Sequence, residues 1–248
     1  MKRLLFLLGV WAASAALGYG QTPPDPGGLP APPAARPPQE RDAKDAKQPA
    51  IDAVVLALAD RLRDPDTAVR NAAATALRAV GPQAKLATAA LAEGLRDPDH
   101  YVRITVGEAL ERIGTDAVPL VCQRLQDADP EVRELAARVL QKIGPNAQAA
   151  VPALAAALVD TQADVRLSAL RALEQIGPRA NTAIPAIAGR LRDRDGYVRA
   201  AAAHLLATLG PESMPSLVAL LGDENPLVRA LAASALRAIV AATPPVSK

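Results

Sequence analysis

Two histidines, one cysteine and scattered carboxylates are the side chains of this sequence that could support metal binding or catalysis. His100 and His204 are followed by Tyr101 and Leu205, so neither begins a His–Glu pair. The single Cys122 excludes an intrachain disulfide and a cysteine-based metal cluster. The sequence shows no Ser/His/Asp set with recognisable spacing and no nucleotide-binding loop. We therefore predict no catalytic residue, no metal ligand and no cofactor.

The strongest signal in the sequence is a recurring frame of Asp, then Val-Arg starting five residues later, then Gly twelve residues after the Val. The complete copies are Asp64/Val69/Arg70/Gly81, Asp97/Val102/Arg103/Gly114, Asp127/Val132/Arg133/Gly144, Asp160/Val165/Arg166/Gly177 and Asp193/Val198/Arg199/Gly210. A sixth copy, Asp223/Val228/Arg229, has Val240 in place of the Gly. Successive copies are 33, 30, 33, 33 and 30 residues apart. Self-similarity at such a period predicts a solenoid in which each unit contacts its neighbours.

Each copy of the frame predicts two helices, helix A before the Asp and helix B after it. Helix A carries apolar residues two and six positions before the Asp, which form a stripe on one face. The residue three positions before the Val can cap helix B through its side chain, and these capping residues are Asp66, Asp99, Asp129, Asp195 and Asn225. Gln162 takes this position in the fourth copy and predicts a weaker cap. The Gly is predicted to end helix B in the left-handed conformation.

These features resemble the HEAT repeat, in the short form found in proteins related to bilin (PBS) lyases. The resemblance rests on the Pro of helix A, the Asp eight residues later and the Arg six residues beyond that. It implies an all-α, right-handed α-solenoid of six two-helix repeats. It also implies a structural Asp/Arg ladder that links adjacent repeats, formed by Asp64, Arg70, Asp97, Arg103, Asp127, Arg133, Asp160, Arg166, Asp193, Arg199, Asp223 and Arg229.

Relatives with this scaffold include enzymes, so an oxidoreductase or a bilin-lyase-related activity is the alternative function. The deoxyhypusine hydroxylase type holds two metals with His–Glu pairs on successive helices, whereas His100 and His204 lie three repeats apart. Histidines at that separation do not converge on one metal in a stacked array. We expect a non-enzymatic scaffold.

The predicted partner-binding surface is the face of helix B that carries positions two, six and nine after the frame Val. The resemblance implies that helix B lines the concave side, the usual recognition surface of a solenoid. We predict a groove centred on repeats two to four that binds a protein or peptide. The candidate residues are Tyr101, Ile104, Glu108, Glu111, Glu134, Arg138, Leu167, Arg171, Tyr197 and His204.

The N-terminal sequence predicts that the protein is exported. Residues 1–20 combine a basic start with a short apolar run and small residues, which is typical of a secretory signal peptide without lipoprotein processing. Residues 21–49 are predicted to be a Pro/Ala-rich linker, 50–241 the solenoid and 242–248 a flexible tail. The mature protein is then secreted or periplasmic; a signal retained as a membrane anchor is the alternative.

The charge balance and the last repeat bear on partners. Without Lys2 and Arg3 the 28 basic residues fall to 26, equal to the 26 acidic residues. With no excess of positive charge, we predict that the protein does not bind nucleic acid. We also predict that it does not insert into a membrane after signal cleavage. The sixth repeat has no obviously polar outer face, which predicts weak self-association through the C-terminal end.

Overall fold

The computed structural model describes residues 40–242, with side chains from Gln48 onward, and this part of the chain forms twelve α-helices and no strand. The first six are α1 Glu40–Arg61, α2 Thr67–Val80, α3 Thr88–Gly94, α4 His100–Ile113, α5 Val118–Arg124 and α6 Pro130–Ile143. The others are α7 Val151–Ala157, α8 Ala163–Ile176, α9 Ile184–Gly189, α10 Gly196–Leu209, α11 Met214–Leu220 and α12 Pro226–Ala242. A short 3₁₀ turn, Arg190–Arg192, follows α9.

The helices form six pairs that stack in chain order. Each odd-numbered helix is helix A of a repeat and contacts the following even-numbered helix B. The even-numbered helices also contact one another in sequence, from α2 to α12, and the odd-numbered helices form a second layer. The described chain is therefore an all-α solenoid with one continuous apolar core between the layers, as the repeated frame predicted.

The core consists of small and aliphatic side chains. The leucines thirteen residues after the frame Asp, such as Leu77 and Leu140, are fully buried, and each contributes about 1.5–3 kcal/mol through removal from water. Four residues after the frame Val, five of the six repeats have an alanine, for example Ala136, which is also fully buried, and the second repeat has Val106. Their short side chains let neighbouring helices approach closely.

The start of each helix B is set by a side-chain cap, and the predicted caps are confirmed. Asp99 Oδ1 accepts bonds from the backbone N–H groups of Tyr101 and Val102 at 2.9 and 3.1 Å. Asp195 makes the same two bonds at the start of α10. Gln162 makes no capping bond before α8, so the fourth cap is the weaker one, as expected. Each such bond stabilises a helix by about 1 kcal/mol.

The segments between repeats are 3₁₀ helices of two lengths. Seven-residue connectors occur at Gly81–Ala87, Gly144–Ala150 and Gly177–Ala183, and four-residue connectors at Gly114–Ala117 and Gly210–Ser213. The short connectors account for the two steps of 30 residues in the sequence period.

The glycine that begins each connector differs in one respect from the prediction. Its φ is positive, as expected, but at Gly144 φ is 65° with ψ near −135°, outside the left-handed helical region. The chain continues directly into a 3₁₀ turn, and a left-handed residue would direct it elsewhere. This combination of angles strongly favours glycine.

The first helix also starts earlier than the prediction. The sequence indicated an extended linker as far as residue 49, but α1 begins at Glu40 and includes Pro49. The run of Glu, Arg, Asp, Ala and Lys at 40–47 consists mostly of good helix formers with opposite charges three or four residues apart, which favours helix. The predicted signal peptide, the linker up to residue 39 and the tail from residue 243 lie outside the described residues. Within residues 40–242, no helix has the length and apolar character needed to cross a bilayer.

Candidate functional site

A cleft between α8 and α10 brings together four of the predicted partner-binding residues. Leu167 and Arg171 line it from α8, and Tyr197 and His204 line it from α10. Its volume is about 190 Å³. The remaining lining residues are Leu170, Glu174 and Ala201. The cleft lies on the helix-B face but between repeats four and five, further along the array than the groove centred on repeats two to four that the sequence predicted.

The cleft has an apolar floor and a polar wall. Leu170 is buried, whereas Leu167 and Ala201 are half-buried and pack against the core, so their outer atoms are open to the cleft. Tyr197 stands at the rim with 79% of its surface exposed. On the opposite wall, Nε2 of His204 lies 3.2 Å from Oε1 of Glu174. The apolar floor and the polar wall together suit a bound group that carries an apolar side chain next to a polar one.

The Glu174–His204 contact joins two adjacent repeats across the cleft. The sequence identified His204 as a surface histidine, and the structure shows it exposed, but the partnership with Glu174 was missed. The two residues are 30 positions apart, nearly one repeat, so this separation was the available signal. The contact is an ion pair only when His204 is protonated.

The other six predicted partner-binding residues lie on α4 and α6, away from the cleft. Tyr101 is 73% exposed and its ring meets His100 edge-on, with ring centroids 6.1 Å apart. Ile104 is 37% exposed and Glu111 is half-buried. Glu108 pairs with Arg78 of the preceding repeat.

Two of these six residues are neighbours on α6. The guanidinium of Arg138 lies 4.0 Å from the carboxylate of Glu134, one turn away on the same helix. Neither residue lines the cleft between α8 and α10. The predicted partner-binding residues therefore form two separate groups.

Three of the five junctions between the described repeats carry the Arg–Asp pair that the resemblance implied. Arg70 contacts Asp97, with Nε 2.7 Å from Oδ2 and Nη2 3.0 Å from Oδ1. The corresponding pairs are Arg133 with Asp160 and Arg166 with Asp193. In each pair the guanidinium also donates to backbone carbonyls of its own turn, for example from Arg70 to Asp64 O at 3.0 Å. The Arg thus joins the turn between helices A and B of one repeat to the same turn of the next repeat.

The ladder prediction is wrong at the two short junctions. Asp127 receives its bond from Arg96, at 2.6 Å, and Arg103 instead contacts Glu131 at 3.1 Å. Asp223 likewise pairs with Arg192, while Arg199 has no acidic partner within residues 40–242. A four-residue connector is three residues shorter than a seven-residue one, so the following helix A is displaced relative to the preceding repeat. Its frame Asp then pairs with the arginine just before the frame Asp of the preceding repeat, as Asp127 does with Arg96.

The ladder ends without inter-repeat partners at both termini of the array. Asp64 contacts only the neighbouring Arg61 among the described side chains, at 3.4 Å. Arg229 donates to the carbonyl oxygens of Asp223 and Glu224, at 2.7 and 2.9 Å, and pairs with no carboxylate within residues 40–242.

Burial and hydrogen bonding compete in setting the pKa values of the ladder carboxyls. Burial is the largest single effect on Asp193 and by itself would raise its pKa, but the bonds from Arg166 and from the Asp195 N–H more than compensate. The pKa of Asp193 is therefore lowered from its ordinary value of 3.8. The pKa of Asp160, which meets Arg133, is lowered for the same reasons.

The residues considered for metal or thiol chemistry stay apart. His100 and His204 lie on α4 and α10, three repeats apart. Among residues 40–242, no group of three or more His, Cys, Asp or Glu is placed to hold a metal ion. Cys122 packs against the core, and burial raises the pKa of its thiol to about 11. A thiol with this pKa is a poor nucleophile at neutral pH.

Comparison with known proteins places the chain among repeat proteins. A family model described as HEAT repeats matches residues 45–111, 88–174, 118–207 and 184–246. No protein of curated function matches the sequence.

Solved structures that are similar to this chain are also helical-repeat proteins. The complex of CpcE and CpcF of phycocyanin lyase from Nostoc sp. is similar at 25% identity and a TM-score of 0.47, over 86% of this chain and 82% of that chain. A designed armadillo repeat protein in complex with the peptide (KR)4 is similar at 19% identity and a TM-score of 0.48, over 73% and 98%. Importin beta is similar at 18% identity and a TM-score of 0.49, over 81% and 32%.

Proposed function

Because the chain belongs to the HEAT repeat family, we propose that it is a non-enzymatic interaction scaffold that binds a protein or peptide on its helix-B face. The observation that carries this proposal is the α8/α10 cleft, where Leu167, Arg171, Tyr197 and His204 converge. Nothing in the described part of the chain supplies a competing catalytic constellation, and a continuous helical wall is well suited to recognition.

The size of the cleft favours a side chain of a polypeptide as the bound group. Pockets for small molecules and cofactors typically measure about 300–1,000 Å³, whereas this cleft measures about 190 Å³. One apolar side chain fits a volume of that order against Leu167 and Leu170. The exposed ring of Tyr197 can then cover the side chain, and tyrosine is a residue type enriched at interaction hot spots.

The polar wall adds selectivity to the apolar floor. Arg171 is exposed at the cleft and no ion pair holds it within residues 40–242, so its guanidinium is available for a carboxylate of the partner. Glu174 and His204 supply an acceptor and a donor on the same wall. We expect a segment with an apolar residue next to an acidic one to bind best.

The test compares two tyrosines that occupy the same frame position. Tyr197→Ala and Tyr101→Ala each remove an exposed ring from the second residue of a helix B, but only Tyr197 lines the cleft. Partners captured by wild-type protein should be lost with Tyr197→Ala and with Leu167→Glu, and retained with Tyr101→Ala. Loss of the same partners with all three variants, or with none, would reject the cleft as the binding site.

The proposal extends to location, since residues 1–20 have the character of a secretory signal. In this proposal the scaffold works in the periplasm or outside the cell, and the Pro/Ala-rich segment after the signal gives it reach. Mass spectrometry of the N-terminal peptide from an envelope or secreted fraction tests this directly. A mature N-terminus that begins between residues 16 and 21 supports export, whereas an intact Met1 in a cytoplasmic fraction contradicts it.

A further inference from the structure

The two ends of the repeat array present the two halves of one interior junction. We propose that the chain associates end to end, with the C-terminal repeat of one copy docking on the N-terminal repeat of a second copy. The contact would reproduce the junction that already joins successive repeats inside each chain.

The C-terminal repeat exposes apolar positions that every other repeat buries. Leu221, two residues before the frame Asp of the last repeat, is 41% exposed. The leucines at the same position in the other five repeats are buried: Leu62, Leu95, Leu125, Leu158 and Leu191. Leu236 is half-buried, whereas its five counterparts are fully buried: Leu77, Leu110, Leu140, Leu173 and Leu206. In the interior these residues are covered by the following repeat, and no described residue follows α12 to cover them.

The N-terminal repeat exposes the complementary positions. Val69 is half-buried, although the frame Val in each of the other repeats is at most 1% exposed. Ala76 is also half-buried, whereas its counterparts are at most 4% exposed: Ala109, Val139, Ala172, Leu205 and Ala235. The counterpart Val139 approaches Gly107 of the preceding repeat, with its Cγ2 only 3.3 Å from a Cβ built on that glycine. This position therefore faces the preceding repeat, which the first repeat lacks within residues 40–242.

The charges at the two ends are complementary as well. Arg166 and Asp193 show what the ladder position does in the interior, where a buried Arg meets the Asp of the next repeat. At the C-terminal end Arg229 is exposed and has no carboxylate partner within residues 40–242. At the N-terminal end Asp64 receives no arginine from a preceding repeat among the described residues. End-to-end docking brings Arg229 of one copy to Asp64 of the other.

The same charges decide how the copies are oriented. A symmetric contact between two C-terminal repeats would bring two copies of Arg229 to one interface without the Asp64 that could pair with either of them, and like charges across an interface are unfavourable. A head-to-tail contact is heterologous, so it extends into open chains of variable length.

The test is sedimentation velocity of the mature protein over a wide range of concentrations, with charge reversals at the two ends. Wild-type protein should sediment faster as its concentration rises. Arg229→Glu and Asp64→Arg should each weaken association by at least about tenfold, as expected for a repulsive pair at an interface. An equimolar mixture of the two variants should recover association and form alternating chains, because each end of one variant is complementary in charge to the opposite end of the other.

Two further variants separate docking from folding. Arg199→Glu reverses the charge at the same frame position inside the array, where no carboxylate partner lies within residues 40–242, and should leave association unchanged. Leu221→Glu, at an exposed residue, should abolish association while circular dichroism shows an unchanged helix content.

Three results would overturn the proposal. The first is wild-type protein that stays monomeric at every concentration. The second is association that resists both Arg229→Glu and Asp64→Arg. The third is a mixture of these two variants that stays monomeric.

Discussion

Arg166 donates to both carboxylate oxygens of Asp193, from Nε at 2.8 Å and from Nη2 at 2.6 Å, although the residues belong to different repeats. Both side chains are only 3% exposed, so this is the most buried of the inter-repeat ion pairs of the described chain. Arg199 occupies the same position one repeat later but donates only to backbone carbonyls. The chain thus provides a paired and an unpaired arginine in equivalent places.

The contrast predicts unequal costs for removing the two guanidinium groups. Arg166→Met leaves the buried carboxylate of Asp193 without its principal partner and should lower the free energy of unfolding by about 3 kcal/mol. Arg199→Met removes bonds to two carbonyls and should cost about 1 kcal/mol. Urea denaturation of both variants measures the difference. Equal losses would show that the ion pair adds nothing beyond the carbonyl bonds.

The ladder carboxyls predict acid sensitivity. The pKa values of Asp127, Asp160, Asp193 and Asp223 are lowered in the folded protein from the ordinary value of 3.8. Since the unfolded chain binds protons more readily, the stabilisation is present above that ordinary value and is lost as the pH falls through the lower folded-state values. The urea midpoint should therefore be nearly flat from pH 7 to about 5 and then fall steeply below about 4.

A control identifies the residues that cause the acid effect. Asp193→Asn removes one of the titrating groups and should flatten the fall below pH 4 while lowering stability at pH 7. An acid profile identical to that of the wild type would exclude Asp193 as a contributor.

The connector length should determine which arginine reaches Asp127. In the native chain a double-mutant cycle should give coupling between Arg96 and Asp127 of about 0.5–1 kcal/mol and none between Arg103 and Asp127. Replacing the four-residue connector Gly114–Ala117 with the sequence of Gly144–Ala150 restores the spacing of 33 residues. The Arg103–Asp127 coupling should then rise to about 1–3 kcal/mol. If the coupling stays with Arg96, connector length does not select the partner.

Two glycines with open space around them should respond oppositely to alanine. A Cβ at Gly144 or at Gly189 would meet no atom within 4 Å, so neither substitution is limited by sterics. Gly144 has φ of 65°, and alanine there should lower stability by about 1–2 kcal/mol. Gly189 ends α9 with a helical backbone, and alanine should raise stability by about 0.4–1 kcal/mol. Thermal denaturation of both variants decides the sign; destabilisation by Gly189→Ala would contradict this account.

Cys122 should act as a reporter of local opening. Burial raises the pKa of its thiol to about 11, so at pH 8 only about 0.1% is thiolate. Reaction with a thiol reagent should be slow in native protein and should become fast in urea. Rapid labelling without denaturant would show that repeat three opens readily. Cys122→Ser serves as the unlabelled control.

Local chemistry made most of the fold predictable from the sequence. A cap such as Asp99, or the glycine at 144, acts on residues two to four positions away, so the sequence spacing already contains the geometry. The partner of Arg103 could not be obtained in this way, because a connector shortened by three residues changes which side chains meet in space. The early start of α1 at Glu40 was missed because the prolines before it outweighed the helix-forming charged run.

The candidate site was predictable only in part. Position after the frame Val placed Leu167, Arg171 and His204 on one face of helix B. That face alone does not show where two adjacent helices leave a cleft, nor that Glu174 of one repeat reaches His204 of the next. The depth of the cleft and the contacts between its two helices depend on how adjacent repeats pack. The spacing of residues within one repeat does not contain that information.

The presence of two connector lengths has a mechanical consequence. At the junctions with a seven-residue connector, a guanidinium largely removed from water, such as that of Arg166, links the neighbouring repeats. At the junctions with the connectors Gly114–Ala117 and Gly210–Ser213, the linking side chains are Arg96 and Arg192, which are about half exposed. Water and salt weaken an exposed ion pair more than a buried one. Pulled from its ends, the array should therefore behave as three stiff blocks joined by two compliant hinges rather than as a uniform spring.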